Sequence, residues 1–306
     1  MAQDKTANEH YVPRAYLKSF ANEKQQCYVY DKQNKKPFPS NIKGILSERY
    51  FYDFDAELVK DCIGIDVQAL EKILAVTIDD YWNNIVANID ANFEWFSLKY
   101  SWHFLDIYRC AAVQLMRTPS GKKMLLHMYN EVYGKEKDER FENIVLAKEV
   151  CNVLDENMKS VLLEIILNEY GHIAIGLNET SIPFITSDTP VFVMPNIWDK
   201  SKTEMMMYYP ITPQRCIFFL KRKKVENQLG NVFEDVNSGK FEIADLADIT
   251  QEAYRREKEM LKQLNPETII LREEDVLVFN TCCAETATRY VISFQNLEKE
   301  KLWIES

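Results

Sequence analysis

The sequence predicts an α+β fold, a helix-rich single domain whose long antiparallel helices pack on a small, mostly antiparallel sheet. Apolar residues recur at helical spacing through most of residues 65–168. From Gly171 onward the apolar period changes to two, which is typical of strands. Hydrophobic residues make up 46% of the 306 residues, enough for a substantial core. We therefore expect one domain over residues 1–306, with an N-terminal arm and hairpin at 8–55, a helical part at 65–168 and a sheet-containing part at 171–295.

The N-terminal part should be an extended arm, a short helix and a hairpin. Pro13 fixes its own φ and favours extended geometry at Val12, and proline is well tolerated in the first turn of a helix. The arm should therefore end at Val12, and a short helix should cover residues 13–20. Further on, the aromatic segment 26–31, a polar turn and an extended segment from Phe38 predict a β-hairpin.

The remaining elements follow from the same two periodicities. Apolar spacing predicts six helices, and Pro119 ends the second of them. The predicted helices are 65–89, 98–118, 122–133, 141–167, 243–264 and 275–294. Short apolar or alternating runs predict strands at 172–177, 184–186, 191–194, 205–209, 216–220 and 268–271.

Composition limits the class of protein. The net charge is −10 and the sequence pI is about 5.1, so any contact with nucleic acid would depend on a local basic patch. The chain has only 8 glycines and neither a GxGxxG nor a Walker-type loop, which argues against dinucleotide-binding and P-loop folds. The 7 cysteines lack paired spacing and should be free thiols. Since no apolar leader or membrane-length apolar run is present, we expect a cytoplasmic protein with no membrane partner.

A cationic and aromatic cluster lies near the N-terminus. His10 precedes the predicted short helix, on which Arg14 and Lys18 are four residues apart and share a face. An imidazole with two cations suits a phosphate oxyanion. Tyr16 and Phe20 share a second face of the same helix. In the alternative interpretation, these aromatic side chains dock into the core and His10 only caps a backbone group.

Two further polar motifs complete the candidate site. Gln114 and Arg117 are three residues apart at the end of the second predicted helix, so they can face one pocket and hold an anion. The alternative role of Arg117 is to cap that helix and complement its dipole. Asp188 follows an apolar strand and precedes Pro190. A carboxylate in such a place forms an Asx turn or, on a rigid strand end, takes part in catalysis.

These residues predict metal-independent phosphoryl chemistry. RNA is cleaved by its own 2′-hydroxyl when a base activates that group and cations stabilise the phosphorane. We assign His10 as the base because imidazole titrates near neutrality. Arg14 and Arg117 should hold the phosphate, and Asp188 should orient His10 or the hydroxyl. The predicted substrate-binding residues are Tyr11, Tyr16, Lys18 and Gln114, with Tyr11 or Tyr16 stacking on a base.

We expect no cofactor. Glu71, Asp79 and Asp188 are the residues that would hold a divalent metal if one were bound. Two of the three are eight residues apart on one predicted helix, and oxygen ligands alone at such spacing are not diagnostic of a metal site.

Several separate segments together resemble one bacterial family. The first, from His10 to Phe20, has the form His-Tyr-Val-Pro-x-x-Tyr-Leu-x-x-Phe. The others are 48–52, 114–119, 186–191 and 210–213, followed by Asn280 and Ala284. In their order and spacing these segments resemble the DUF4238 family, some members of which are associated with bacterial defence against phage. The resemblance implies that setting here and brings no established chemistry. At Asp79 or Asp80 the chain departs from the second glutamate that the family tends to carry.

The sequence leaves three functions open. The first is a nuclease acting on RNA, as an anti-phage defence effector. The alternative is a non-catalytic sensor or binding module for a nucleotide, a phosphorylated ligand or a phage protein, which needs the same cationic pocket but no base. The third is an interaction protein whose polar motifs are all structural, in which His10, Arg117 and Asp188 would lie far apart.

Overall fold

The computed structural model describes residues 8–62, 66–79, 82, 101–134, 137–155, 159–201, 203–221 and 267–296. Its strands are β1 Asn8–His10, β2 Gln26–Asp31, β3 Lys36–Asn41, β4 Ser47–Arg49, β5 His172–Asn178, β6 Thr186–Ser187, β7 Phe192–Pro195, β8 Met205–Thr212, β9 Arg215–Leu220, β10 Glu267–Leu271 and β11 Tyr290–Ser293. Its α-helices are α1 Arg14–Leu17, α2 Ala56–Val59, α3 Ala69–Leu74, α4 Ser101–Met116, α5 Pro119–Tyr133, α6 Glu142–Leu154, α7 Val161–Glu169 and α8 Glu273–Thr286. The single 3-10 turns are Lys18–Phe20, Ile42–Gly44 and Glu139–Phe141, and a π-helical turn covers Ala75–Asp79.

The strands of the described residues form three sheets, of two, four and five strands. Their orders are β1-β4, β3-β2-β11-β6 and β10-β5-β9-β8-β7. Within this part of the chain the pair β10–β5 is parallel and the other pairs are antiparallel. The predicted fold class, long helices packed on one small sheet, is therefore wrong. Helices and strands are mixed, and strands from the two ends of the chain share a sheet.

Two strands were not predicted, the short β4 and β11, and β11 falls in a segment that we assigned to a helix running to residue 294. That helix, α8, stops at Thr286 because Ala287 has φ −58° and ψ 129° and cannot continue it. The chain then enters β11, which lies between β2 and β6 and buries Val291 and Ile292. A short strand of this kind directly after a helix has too few residues for its own period to appear.

A second correction concerns the predicted long helix 141–167, which is two helices, α6 and α7. The apolar period runs through both, but Ser160 interrupts it as the N-cap of α7. Its hydroxyl accepts a hydrogen bond from the Leu163 amide at 3.0 Å. Serine competes well for this position because its oxygen satisfies an amide that has no partner in the helix. The hairpin predicted near the N-terminus is confirmed as β2–β3.

Some predicted elements lie outside the described residues. These are most of the part of the predicted helix 65–89 that follows Asp79, and the predicted helix 243–264. Among the helices that the structure describes, none is both long enough and apolar enough to cross a membrane.

Buried hydrogen bonds between distant segments fix the N-terminal helix α1 on the five-stranded sheet. The Tyr16 hydroxyl, which is fully buried, donates to the Pro210 carbonyl at 2.8 Å and lies 2.6 Å from the Thr186 hydroxyl. The Asn280 side chain makes two similar long-range hydrogen bonds. Its Nδ2 donates to the Pro183 carbonyl at 2.9 Å, and its Oδ1 accepts from the Ile185 amide at 3.1 Å. Because α1 is anchored at Tyr16, the residues just before it have a defined position.

Candidate functional site

The candidate site is built around Arg117, the first residue after α4. Its guanidinium is 1% exposed, and three of its nitrogens have protein partners. Nη1 binds the Asp79 carboxylate at 2.7 Å, Nη2 donates to the His10 carbonyl at 2.8 Å, and Nε donates to the Tyr52 hydroxyl at 3.0 Å. We call this group, together with Glu9 and Glu71, the arginine centre. Its members come from β1, the loop after β4, α3, the π-helical turn and the end of α4.

The acidic side of the arginine centre depends on an irregular helix. Asp79 is the last residue of the π-helical turn that follows α3, and its side chain remains 30% exposed. Single π-turns widen a helix locally and are frequent at functional sites. Glu9 has no exposure, and accepts hydrogen bonds from the Tyr52 amide at 2.6 Å and the Gln68 side chain at 3.0 Å. The centre therefore combines one buried guanidinium with three carboxyl groups.

These charges alter the acid–base behaviour of the centre. The pKa of Glu71 is raised from its ordinary value of 4.5 to about 7, mainly by burial. The positive charge of Arg117 opposes this rise, and the neighbouring carboxylates of Glu9 and Asp79 add to it. Burial by itself would lower the pKa of Arg117, but Asp79 and Tyr52 raise it above its ordinary value, so this guanidinium stays charged. Glu71 is thus a partly exposed carboxyl group that exchanges its proton near neutral pH.

The His10 imidazole lies at the edge of this centre and is half-buried. Nε2 is 3.3 Å from the Ile42 carbonyl. A carbonyl oxygen only accepts, so Nε2 carries the proton and Nδ1 holds the lone pair in the neutral ring. Burial lowers the pKa of His10 below 6.5, and the charges of Arg14 and Arg117 add to this effect. His10 is therefore neutral at physiological pH and is suited to accept a proton.

The other predicted site residues near the N-terminus divide into exposed and buried groups. Arg14 and Lys18 are exposed, four residues apart on adjoining turns. Tyr11 is 5% exposed and packs against Phe51, with ring centroids 5.4 Å apart. Tyr16 has the buried structural contacts given above. Its fully buried ring leaves no face for a base, so the two cations are better placed than Tyr16 to meet a ligand.

Gln114 contributes to the backbone of the arm. It is 1% exposed and its Nε2 donates to the Tyr11 carbonyl at 3.1 Å. Its Oε1 is buried and has no hydrogen-bond partner among the residues that the structure describes. Arg117 donates to the adjacent backbone carbonyl, that of His10. Gln114 and Arg117 therefore hold two consecutive carbonyl groups of the N-terminal arm.

Asp188 lies in a separate hydrogen-bond network. Its carboxylate, in a residue that is 4% exposed, accepts from the backbone amides of Thr288, Arg289 and Tyr290 at 2.9, 2.6 and 2.9 Å. Burial raises the pKa of Asp188, and these three hydrogen bonds oppose the rise. Its described hydrogen bonds all go to the backbone that leads into β11, and His10 has the Ile42 carbonyl as its partner instead. A role for Asp188 at a reacting atom stays a prediction.

The structure thus brings together His10, Arg14 and Arg117, and it adds four residues that sequence reasoning did not assign to this site. Glu9 carried one signal, because it is an acidic residue in a predicted extended arm and directly precedes His10. Tyr52 stood in an aromatic segment that matched the family pattern. Glu71 and Asp79 were considered only as metal ligands. Among the described residues no group of three or more histidine, cysteine or acidic side chains is arranged to hold a metal ion.

Comparison with known proteins identifies the family of the chain. No curated protein and no solved structure matches it significantly. A family model with the description "Protein of unknown function (DUF4238)" matches residues 8–295, nearly the whole sequence. The matched region contains every residue of the arginine centre. The chain therefore belongs to the DUF4238 family.

Proposed function

We propose that the protein is a nuclease that cleaves RNA through the 2′-hydroxyl of its substrate, with His10 as the general base. The observation that carries the proposal is the state of the His10 ring. It is neutral, half-buried and fixed through Nε2, and in the described residues no hydrogen bond occupies Nδ1. A base held in this way needs no reorganisation before it accepts a proton.

The proposed reaction needs an acid as well as a base. Nδ1 of His10 removes the proton from the 2′-hydroxyl, whose oxygen attacks the adjacent phosphorus. The bond from phosphorus to the 5′-oxygen breaks, and that oxygen takes a proton from the Glu71 carboxyl. The products are a 2′,3′-cyclic phosphate and a 5′-hydroxyl end. Glu71 suits the role of acid because its pKa of about 7 leaves much of it protonated at neutral pH.

The cations of the site have different roles in this proposal. Arg14 is exposed beside His10 and binds the phosphate directly. Arg117 is buried and already bound to Asp79, so it supplies a fixed positive charge behind the phosphate and holds the His10 backbone. Lys18 extends the cationic surface next to Arg14. In a chain of net charge −10, binding of RNA depends on this local concentration of positive charge.

The test compares cleavage of total RNA by the purified protein and by variants, with and without EDTA. We expect wild-type cleavage to survive EDTA and to be lost in His10→Ala and in His10→Gln, which keeps a donor for the Ile42 carbonyl. The control is His127→Ala, which removes an exposed histidine from α5. Melting curves check that each variant is folded. The proposal is rejected if the wild type does not cleave RNA, or if both His10 variants cleave it as fast as the wild type does.

A second candidate function has one observation in its favour. Arg117, the central cation of the site, has three of its nitrogens bound by protein groups, which suits a rigid binding site better than an adaptable catalytic one. In that case the protein senses a nucleotide, a phosphorylated ligand or a phage protein without converting it. Thermal shifts on adding nucleotides, with no turnover of RNA, would favour this function over the nuclease. Either function is compatible with a part in anti-phage defence, which we propose from the resemblance to defence-associated members of the family.

A further inference from the structure

The two-stranded sheet next to the arginine centre has a polar outer face. In its register Asn8 pairs with Arg49, Glu9 with Glu48 and His10 with Ser47. Side chains alternate between the two faces of a strand, so the two pairs at the ends share one face. That face carries Asn8, His10, Ser47 and Arg49, each exposed or partly exposed. The buried Glu9 belongs to the opposite face. The His10 imidazole thus lies on a surface that bears a guanidinium and no carboxylate from either strand.

The guanidinium on this face lies within reach of the candidate site. Arg49 is the diagonal neighbour of His10 across the two strands, and such neighbours are separated by roughly 7–8 Å. Arg14 follows β1 in the chain as the first residue of α1, and its charge contributes to lowering the pKa of His10. Two exposed arginines therefore lie near one imidazole. Lys43 adds a third exposed cation in the 3-10 turn that follows β3.

The strand β4 ends in an exposed aromatic residue. Tyr50 is 41% exposed, and the Arg49 guanidinium lies 5.5 Å from the centroid of its ring. Its backbone has φ 55°, and Leu46 at the other end of β4 has φ 54°. For residues other than glycine this left-handed conformation costs about 1 kcal/mol each. Such conformations persist only where the surrounding structure imposes them, so the packing around β4 fixes both ends of this strand.

We propose that this face, together with the Tyr50 ring next to Arg49, binds single-stranded RNA, with Arg49 contacting a phosphate and Tyr50 stacking on a base. The inference rests on the proposed function for the position of the reacting phosphate, which lies at His10 and Arg14. Arg49 then binds a neighbouring phosphate, and Tyr50 takes the base beyond it. An unpaired base is needed because bases inside a duplex are already stacked on each other. The short sheet would thereby select the substrate class and set its direction across the imidazole.

The test measures binding separately from cleavage. The probe is a short fluorescent single-stranded RNA with 2′-O-methyl groups, which cannot be cleaved through the 2′-hydroxyl, and anisotropy reports its binding. We expect Tyr50→Ala to bind about tenfold more weakly and Tyr50→Phe to bind like the wild type, since stacking needs only the ring. Arg49→Gln should weaken binding and lower the salt dependence by about one counterion. The matched control is Tyr28→Ala, which removes a ring that is 42% exposed on β2.

The outcomes separate this inference from the proposed function. Normal binding by Tyr50→Ala and Arg49→Gln overturns the inference, and so does equally tight binding of the duplex form of the probe. Failure of the wild type to bind the probe overturns it as well. Binding that depends on Tyr50 and Arg49, without cleavage of unmodified RNA, supports the inference and rejects the nuclease. Cleavage of unmodified RNA that neither variant impairs supports the nuclease and overturns the inference.

Discussion

Replacing Glu71 with glutamine should stabilise the protein, and increasingly so as the pH rises. The pKa of Glu71 is about 7 in the folded chain against an ordinary value of 4.5, so folding takes up a proton between these values. Because the folded pKa is the higher one, Glu71 costs no stability below pH 4.5, and the wild type loses stability as the pH rises through about 7. A shift of this size corresponds to ~3 kcal/mol for a fully buried group. The side chain is partly exposed, so solvent screening reduces the expected loss to about 1–2 kcal/mol.

The measurement is the free energy of unfolding in urea for both proteins at about pH 5 and about pH 8, on either side of the folded pKa. Glu71→Gln should resemble the wild type at the lower pH and exceed it by about 1–2 kcal/mol at the higher pH. Glu164→Gln is the control, because Glu164 is exposed on α7. A difference between wild type and Glu71→Gln that is constant across this range would refute the account of Glu71 as a carboxyl group that burial keeps protonated.

Three further predictions concern the same part of the molecule. Arg117→Met should lower the free energy of unfolding by about 3–5 kcal/mol, because Asp79 and the Tyr52 hydroxyl lose their hydrogen bonds to the buried guanidinium. The control, Arg140→Met, removes an exposed ion pair and should cost under about 1 kcal/mol. Tyr16→Phe should cost about 1–3 kcal/mol, since the Pro210 carbonyl loses its donor, and an equal loss in the exposed control Tyr28→Phe would contradict the explanation. If the nuclease proposal holds, the cleavage rate should rise through the pKa of His10, which lies below 6.5, and fall above the Glu71 pKa of about 7; a rate that keeps rising well above 7 would exclude Glu71 as the acid.

Local sequence signals predicted the N-terminal elements well. Pro13 fixed the start of α1 through its own φ, and the helix begins at the next residue. The aromatic strand, polar turn and second extended segment gave the hairpin β2–β3 because each of its features is local in the chain. Pro119 was expected to end the second predicted helix, and a helix boundary does lie there. Pro119 is also the first residue of α5, as expected from the tolerance of proline in the first turn of a helix.

Long-range pairing could not be predicted in the same way. The register of β11 with β2 joins Val291 to Tyr30, and no local pattern specifies a partner so far away in the chain. The arginine centre has the same property. The separation between His10 and Arg117 is 107 residues, and their link is a backbone carbonyl whose position no side-chain pattern reveals. Sequence reasoning could nominate these two residues by their chemistry, but it considered the carboxyl groups of Glu71 and Asp79 only as metal ligands and not as neighbours of the guanidinium.

The contacts of the predicted polar residues separate structural roles from chemical ones. Tyr16, Asn280 and Asp188 are buried and make at least two hydrogen bonds each to distant backbone or side-chain groups, so a ligand would have to displace protein partners to reach them. His10 and Glu71 differ, because each is only partly buried. The surroundings lower the pKa of His10 below 6.5 and raise the pKa of Glu71 to about 7. Keeping such groups half-buried costs stability, as the Glu71 prediction quantifies. A protein that only needed to join its N-terminal arm to α4 would lose nothing by placing a glutamine at position 71, and the carboxyl group there is therefore the feature of the arginine centre that structure alone does not require.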